Sequence, residues 1–250
     1  MRFCHVALVA GATALAASTA NAYFTVADNA PMLPTSQGGF MVQDGTFSDA
    51  LGSGGAYFNG LGLAQGFTVS QSYSLDRLTV WGASDNFGNN RPWTATALSS
   101  NITGLQVVLM KRTGDSTLQT LHTWNVGIAS IAQSLTGNYT PNVFNPVFQL
   151  GMNLTGGFSI TAGTYYLSVG ALLSDPDGDA FQWVNGQWNG ADPSHTLLAT
   201  VADTPTSWGQ WSAVPDGTSS SMLLESNIPG PGTLAMLAAG ALGAGRRRRR

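Results

Sequence analysis

The amino-acid sequence predicts an all-β protein: a two-sheet antiparallel β-sandwich, jelly-roll-like, with an N-terminal signal helix and a short C-terminal hydrophobic helix outside it. Three observations carry that expectation. Between Tyr23 and Asn227 the apolar residues fall in short alternating runs, the period of strands with one buried face. Glycine, asparagine, aspartate and proline punctuate those runs at close intervals, as they do in sandwiches and barrels. Over the same span there is no long 3.6-residue apolar period, and no fixed repeat that would suggest a solenoid or propeller.

Taken in order, the chain opens with Arg2, an apolar run from Val6 to Ala17 and the triplet Ala20-Asn21-Ala22. A charged start, a core too short to span a membrane and an Ala-x-Ala site are the parts of a secretory signal peptide. The Ala20-x-Ala22 site places cleavage after Ala22, which gives residues 1–22 as the signal and Tyr23 as the mature start. Strands are then expected at Gly66–Ser70 and Leu75–Gly82, where Leu78 and Val80 share a face, and at Leu105–Met110 and Thr117–Trp124. Further strands are expected at Val143–Leu150, Phe158–Ile160, Thr164–Leu173, Ala180–Val184, Thr196–Val201 and Met222–Leu224. Residues 23–226 form the ectodomain, and residues 227–250 form a separate tail.

In that tail Pro229 and Pro231 forbid a helix through themselves. From Thr233 to Gly245 no charge occurs, and the leucines and alanines favour helix. The run covers about 20 Å of helix against a hydrocarbon core of roughly 30 Å, so it holds a membrane only weakly. Arg246, Arg247, Arg248, Arg249 and Arg250 then stop the segment on the cytoplasmic side.

Charge and cysteine usage narrow the function classes. Six of the ten basic residues belong to the two targeting segments, leaving Arg77, Arg91, Lys111 and Arg112 against all 13 acids. Such an ectodomain repels nucleic acid and anionic lipid, and its Ser, Thr, Asn, Gln and Gly suit a neutral polysaccharide or simple solubility. Cys4, the single cysteine, lies in the signal, so the mature chain has no disulfide, thiol nucleophile or cysteine metal site. Its core must stabilise it, and a chain of about 200 residues buries enough surface to do so.

The order Pro229-Gly230-Pro231, short apolar helix and terminal arginine cluster resembles the PEP-CTERM sorting signal, a tail type also called the ice-binding protein C-terminal segment. Gly230 stands where the name-giving motif has glutamate. The resemblance implies recognition by exosortase, a membrane-embedded processing enzyme, after passage through the Sec translocon and signal peptidase. It implies an exported protein, transiently membrane-anchored and then placed at the cell surface or in extracellular matrix. The segments Gly66–Val69, Leu75–Ala83 and Thr161–Val169 also look like the β-rich ectodomain common in such proteins, a mostly uncharacterised group. Ice binding itself would want a regular threonine array, and beyond Thr94 and Thr96 there is none.

Chemistry has few places to reside. Asp175, Asp177 and Asp179, alternating around Pro176 and Gly178, place three carboxylates on a tight turn, a donor set for calcium. The full EF-hand pattern is missing, and a solvated turn is the plainer reading. No cofactor is required; calcium is the one the sequence leaves room for. Trp183, Trp188, Trp208 and Trp211 cluster late, and flat rings stack on the apolar faces of sugars. Trp183 to Gly190 reads as a hairpin carrying rings on loops, with Asn185, Gln187, Asn189 and Gln210 near it for polar contacts, whereas Trp81 and Trp124 are expected to fill the core or cover sheet ends. Catalytic residues are absent from this reading: Glu225 is the only glutamate, no Gly-x-Ser-x-Gly elbow exists, and nothing marks a facing carboxylate pair. The expectation is a non-enzymatic structural or glycan-associated protein of the bacterial surface or exopolysaccharide matrix, with polysaccharide as the candidate partner. The alternative is a secreted carbohydrate-active hydrolase on the same scaffold.

Overall fold

The computed structural model describes residues 23–43, 45–47, 61–85, 94–114, 117–141, 144–174, 180–187, 196–200, 211–213 and 219–226. Sixteen strands occur among them: β1 Phe24–Asn29, β2 Thr35–Gln37, β3 Phe40–Val42, β4 Gly45–Phe47, β5 Leu61–Val69, β6 Tyr73–Asp85, β7 Ile102–Arg112 and β8 Leu118–Gly127. After a one-turn 3-10 helix at Ile128–Ser130 come β9 Ile131–Tyr139, β10 Pro146–Ile160, β11 Gly163–Leu173, β12 Ala180–Gly186, β13 Thr196–Thr200, β14 Trp211–Ala213, β15 Ser219–Ser220 and β16 Met222–Ser226. The all-β sandwich expected from the sequence is the fold observed, as two antiparallel sheets packed face to face. The expected signal and tail helices lie outside the described residues.

Ten strands form one sheet in the order β1-β16-β6-β10-β9-β3-β2, with β12, β4 and β15 attached beside β6. The second sheet runs β14-β13-β5-β11-β7-β8. Among the described residues only β3 and β9 meet in parallel, through Val42 and Tyr139. Because β6 is 13 residues long, one of its edges holds two strands end to end. β16 pairs with Arg77 to Val80, and β12 pairs with Gly82 to Asp85.

The core follows from strand alternation. Leu78 and Val80 of β6, Phe148, Leu150 and Met152 of β10, and Met222 and Leu224 of β16 point inward from the larger sheet. Leu63, Phe67 and Val69 of β5, Leu105, Val107 and Leu109 of β7, and Tyr165, Leu167 and Val169 of β11 meet them. Gln65 is the polar member of the β5 stripe and is 1% exposed. Its Oε1 accepts the Ser220 N–H at 2.6 Å, while the Ser220 carbonyl accepts Asn29 Nδ2 at 2.7 Å. One buried glutamine therefore staples the two sheets, with its hydrogen bond supplied from the opposite layer.

From Pro146 on, the expected strands Val143–Leu150 and Phe158–Ile160 belong to one strand, β10, and Val143 lies outside the described residues. Four residues, Leu154 to Gly157, oppose Asp76 alone between the pairs Asn153–Arg77 and Phe158–Leu75. Gly156 and Gly157 take φ of 87° and 52°, which side-chain-bearing residues rarely adopt, so the ladder can bulge there and resume.

Candidate sheet-face binding site

The sequence-predicted sites are only partly within view. Asp175, Asp177, Asp179, Trp188 and Trp208 lie outside the described residues. So do Ala20 and Ala22, Pro229, Gly230 and Pro231, and Arg246 to Arg250. Trp211 opens β14 opposite Ala199, at the edge of the six-stranded sheet. Among the described residues no group of three or more His, Cys, Asp or Glu could hold a metal, and no helix is long and apolar enough to cross a membrane.

Trp183 is placed differently from expectation. It is 0% exposed, and its indole N–H donates to the Ser221 carbonyl at 2.7 Å. The Ser221 N–H and hydroxyl both reach the Val184 carbonyl, at 2.9 and 2.8 Å. Ser221 is thus the joint at which the chain passes from β15, paired with β12, to β16, paired with β6. Trp183 locks that joint from within the core and has no ring face left for a sugar. Of the expected hairpin Trp183–Gly190 the described part is strand, β12 running on through Asn185 and Gly186 with partners in β4, β6 and β15, while Trp188 to Gly190 lie outside the described residues. Asn185 is buried with it, and Gln187 is exposed, its Nε2 3.3 Å from the Pro31 carbonyl.

Trp124 fills the core as expected, 4% exposed, with His122 edge-on at 4.4 Å between ring centroids and Phe158 at 6.4 Å. Trp81 does not. Leu78 and Val80 face inward, so alternation sends Arg77, Thr79 and Trp81 to the outer face of the ten-stranded sheet. Trp81 rests there on Ala83, Val147 and Val184 and is only partly buried.

Register assembles the rest of this face. Across the strands, Leu223, Thr79, Gly151 and Ala132 stand side by side on β16, β6, β10 and β9. Three of the four are small: Thr79 is 3% exposed, Gly151 contributes no side chain and Ala132 only a methyl, while Leu223 stands half-buried at the β16 end. The next outward-facing row on one side is Glu225, Arg77 and Asn153; on the other it is Trp81, Gln149 and Ser134. Each row lies two residues away, or about 7 Å, and the floor crosses four strands, or about 14 Å. The outcome is a shallow trough across the sheet with one charged and amide-bearing wall and one aromatic and amide-bearing wall.

Arg77 dominates the trough and is the only cation of the ten-stranded sheet among the described residues. Its Nε lies 3.7 Å from Glu225 Oε2, and its guanidinium carbon sits 5.4 Å over the Tyr23 ring. One Nη leans over the floor, 3.8 Å from where a Gly151 Cβ would be. Donor and acceptor are therefore presented together, beside a partly open indole and the exposed amides of Gln149 and Asn153. Such a set can bind hydroxyl-rich molecules; no nucleophile and base are brought into contact in it. The signal that Trp81 faces outward was in the sequence, since it is odd-numbered where Leu78 and Val80 set the even face. No protein-family model, curated protein or solved structure matches the chain.

Proposed function

We propose that the chain is an exported, non-enzymatic, glycan-associated protein of the bacterial surface or exopolysaccharide matrix, and that the trough is its glycan-contacting face. The observation that carries this reading is the pair of outward rows, Glu225-Arg77-Asn153 and Trp81-Gln149-Ser134, flanking the floor of Leu223, Thr79, Gly151 and Ala132. An indole face offers contact to the C–H surface of a sugar, and amide groups and an Arg–Glu pair offer both senses of hydrogen bond to its hydroxyls. The signal-like start and the Pro229-Gly230-Pro231, apolar and five-arginine tail support export, a transient membrane hold and sorting by exosortase. Calcium belongs to this proposal only at Asp175, Asp177 and Asp179.

The test is retention on a panel of insoluble and exopolysaccharides, in calcium and in EDTA. The wild-type chain is retained, and Trp81→Ala abolishes retention while its circular dichroism is unchanged. Retention that survives Trp81→Ala removes the trough from the account. Failure of the wild type to bind any polymer leaves a purely structural matrix role. Loss of retention in EDTA alone would add the Asp175–Asp179 turn to the binding machinery.

A further inference from the structure

Strand direction gives the sandwich two unlike ends. At one of them β5 ends and β6 begins, β10 ends and β11 begins, and β7 ends and β8 begins. β1 also starts there, with Phe24 opposite Ser226, the last residue of β16. The chain therefore leaves the ectodomain for its tail at this end. At the other end Asp85 closes β6 beside Ala180, the start of β12, and β11 closes at Leu173. Asp175, Asp177 and Asp179 fall between β11 and β12 in the sequence.

Charge is distributed along the same axis. Three of the four basic residues of the ectodomain, Arg77, Lys111 and Arg112, belong to the end from which the tail departs. Lys111 and Arg112 close β7 in exposed positions, each 5.8 Å over a ring, Tyr165 and Tyr166 respectively. The acids carried by the same segments are Asp76, Glu225, which already faces Arg77, and Asp115, whose own placement lies outside the described residues. Three of the 13 acids thus meet three of the four cations, and the rest of the ectodomain keeps ten acids against Arg91 alone. Two exposed aromatic side chains stand at this end as well, Tyr23 at 37% and Phe24 at 41%.

We propose that this end of the sandwich rests on lipid headgroups while the tail holds the chain, with Lys111 and Arg112 toward anionic headgroups and Tyr23 and Phe24 at the interface. The inference rests on the membrane hold proposed above. The tether selects the occupant, because residues 227–232 separate Ser226 from the apolar run and reach at most about 25 Å when fully extended. β10 alone has 15 residues, a span of up to about 50 Å, so the opposite end stays away from the bilayer. The acidity of the whole ectodomain repels an anionic surface, and this balanced end is where that repulsion is least. Basic side chains are drawn to anionic headgroups, and tyrosine favours the membrane–water interface. A tail of about 20 Å facing a core of roughly 30 Å gains from both contacts.

Flotation of the full chain at low salt tests this, with vesicles of phosphatidylcholine alone and of equal parts phosphatidylcholine and phosphatidylglycerol. The wild type floats with both and more fully with the mixed vesicles. Lys111→Gln with Arg112→Gln weakens binding to the mixed vesicles by up to roughly thirtyfold, about fivefold per charge, and leaves binding to the neutral ones unchanged. Both positions are exposed, so circular dichroism stays at the wild-type signal; Thr113→Glu, exposed beside them, serves if that pair misfolds. Tyr23→Ser with Phe24→Ser weakens binding to both kinds of vesicle. Thr123→Glu with Asn125→Glu shifts the net charge by the same amount at exposed positions of β8, more than a Debye length from Leu118, the residue opposite Arg112, and binds as the wild type does. Wild-type binding by the Lys111/Arg112 variant overturns the proposal, and so does an equal loss in the β8 variant, which would reduce the effect to net charge; the tail's hold survives either result. A wild type that floats with neither vesicle removes the hold itself, and this inference with it.

Discussion

Trp183→Phe separates a core role from a sugar-binding one. The substitution keeps a six-membered ring in the pocket and removes the pyrrole edge with its N–H. Two terms set the magnitude. The Ser221 carbonyl, on a residue that is 0% exposed, loses the donor at 2.7 Å. A buried group deprived of its partner costs about 1–3 kcal/mol. The missing ring atoms, at about 0.8 kcal/mol per buried CH2-sized group, add roughly 1.5 kcal/mol. The expected loss is therefore about 3 kcal/mol. With a urea slope of about 3 kcal/mol per molar for a chain of this size, the unfolding midpoint falls by about 1 M. Below that midpoint, polysaccharide retention is unchanged, because the ring never reached solvent. A midpoint shift under about 0.3 M would show that the Trp183–Ser221 bond does not hold the β15–β16 joint. Retention lost with the fold intact would return Trp183 to the glycan surface and refute its placement.

Other substitutions probe the same physics elsewhere. Gln65→Leu fills the site but takes the acceptor from the Ser220 N–H, so it costs about 1–3 kcal/mol in urea unfolding despite being more apolar; a stabilised variant would count against the inter-sheet staple. At Gly82 an added Cβ runs into the Phe181 ring and stands 2.9 Å from the Gln182 carbonyl oxygen. Gly82→Ala is expected to cost about 1–3 kcal/mol by overpacking, read in the same assay. Arg77→Ala loses retention with a stability change of at most about 1 kcal/mol, since its bond to Glu225 is part-exposed, and added salt changes that stability little. Equal retention by Arg77→Ala and wild type would take the charged wall out of the site.

The strands legible in the sequence are those whose inward positions are all apolar. β6 from Leu78 on, β7 and β11 carry long apolar runs that keep Leu78 and Val80, Leu105, Val107 and Leu109, and Tyr165, Leu167 and Val169 on one face, and the expected strands fall within three residues of the observed bounds. β1 escaped because the bulge at Val26 breaks its period, so that Val26 and Ala27 both pack on the core. β9 escaped because Leu135 is exposed and, after Ile131, the next inward position is Gln133. That side chain accepts the Leu98 N–H at 2.9 Å, a tertiary hydrogen bond no local pattern announces. Trp183 was legible in part: Phe181 and Trp183 share a face of the expected strand Ala180–Val184, and both are buried. What local pattern could not supply was the identity of its neighbours, which come from β4, β6 and β15 across most of the chain. The trough has the same origin, since Arg77, Gly151, Ala132 and Leu223 meet only through register between strands distant in sequence.

The pairing of the first and last strands connects the fold to the proposed sorting. β16 lies between β1 and β6, with Phe24 opposite Ser226 and Asn29 opposite Met222. The strand that begins next to the expected signal cleavage site therefore has no place in the sheet until the strand that ends just before the tail arrives. Glu225, on that last strand, completes the Arg77 wall, and Ser221 receives Trp183. The trough and the core joint thus both depend on residues shortly before the proposed sorting signal. On the proposed route, the ectodomain cannot close until nearly all of it has crossed the membrane, which is also when the apolar run and arginines halt the chain. A temporary hold at that moment gives the sandwich time to acquire its final strand before release, and a short, weak anchor is sufficient for it.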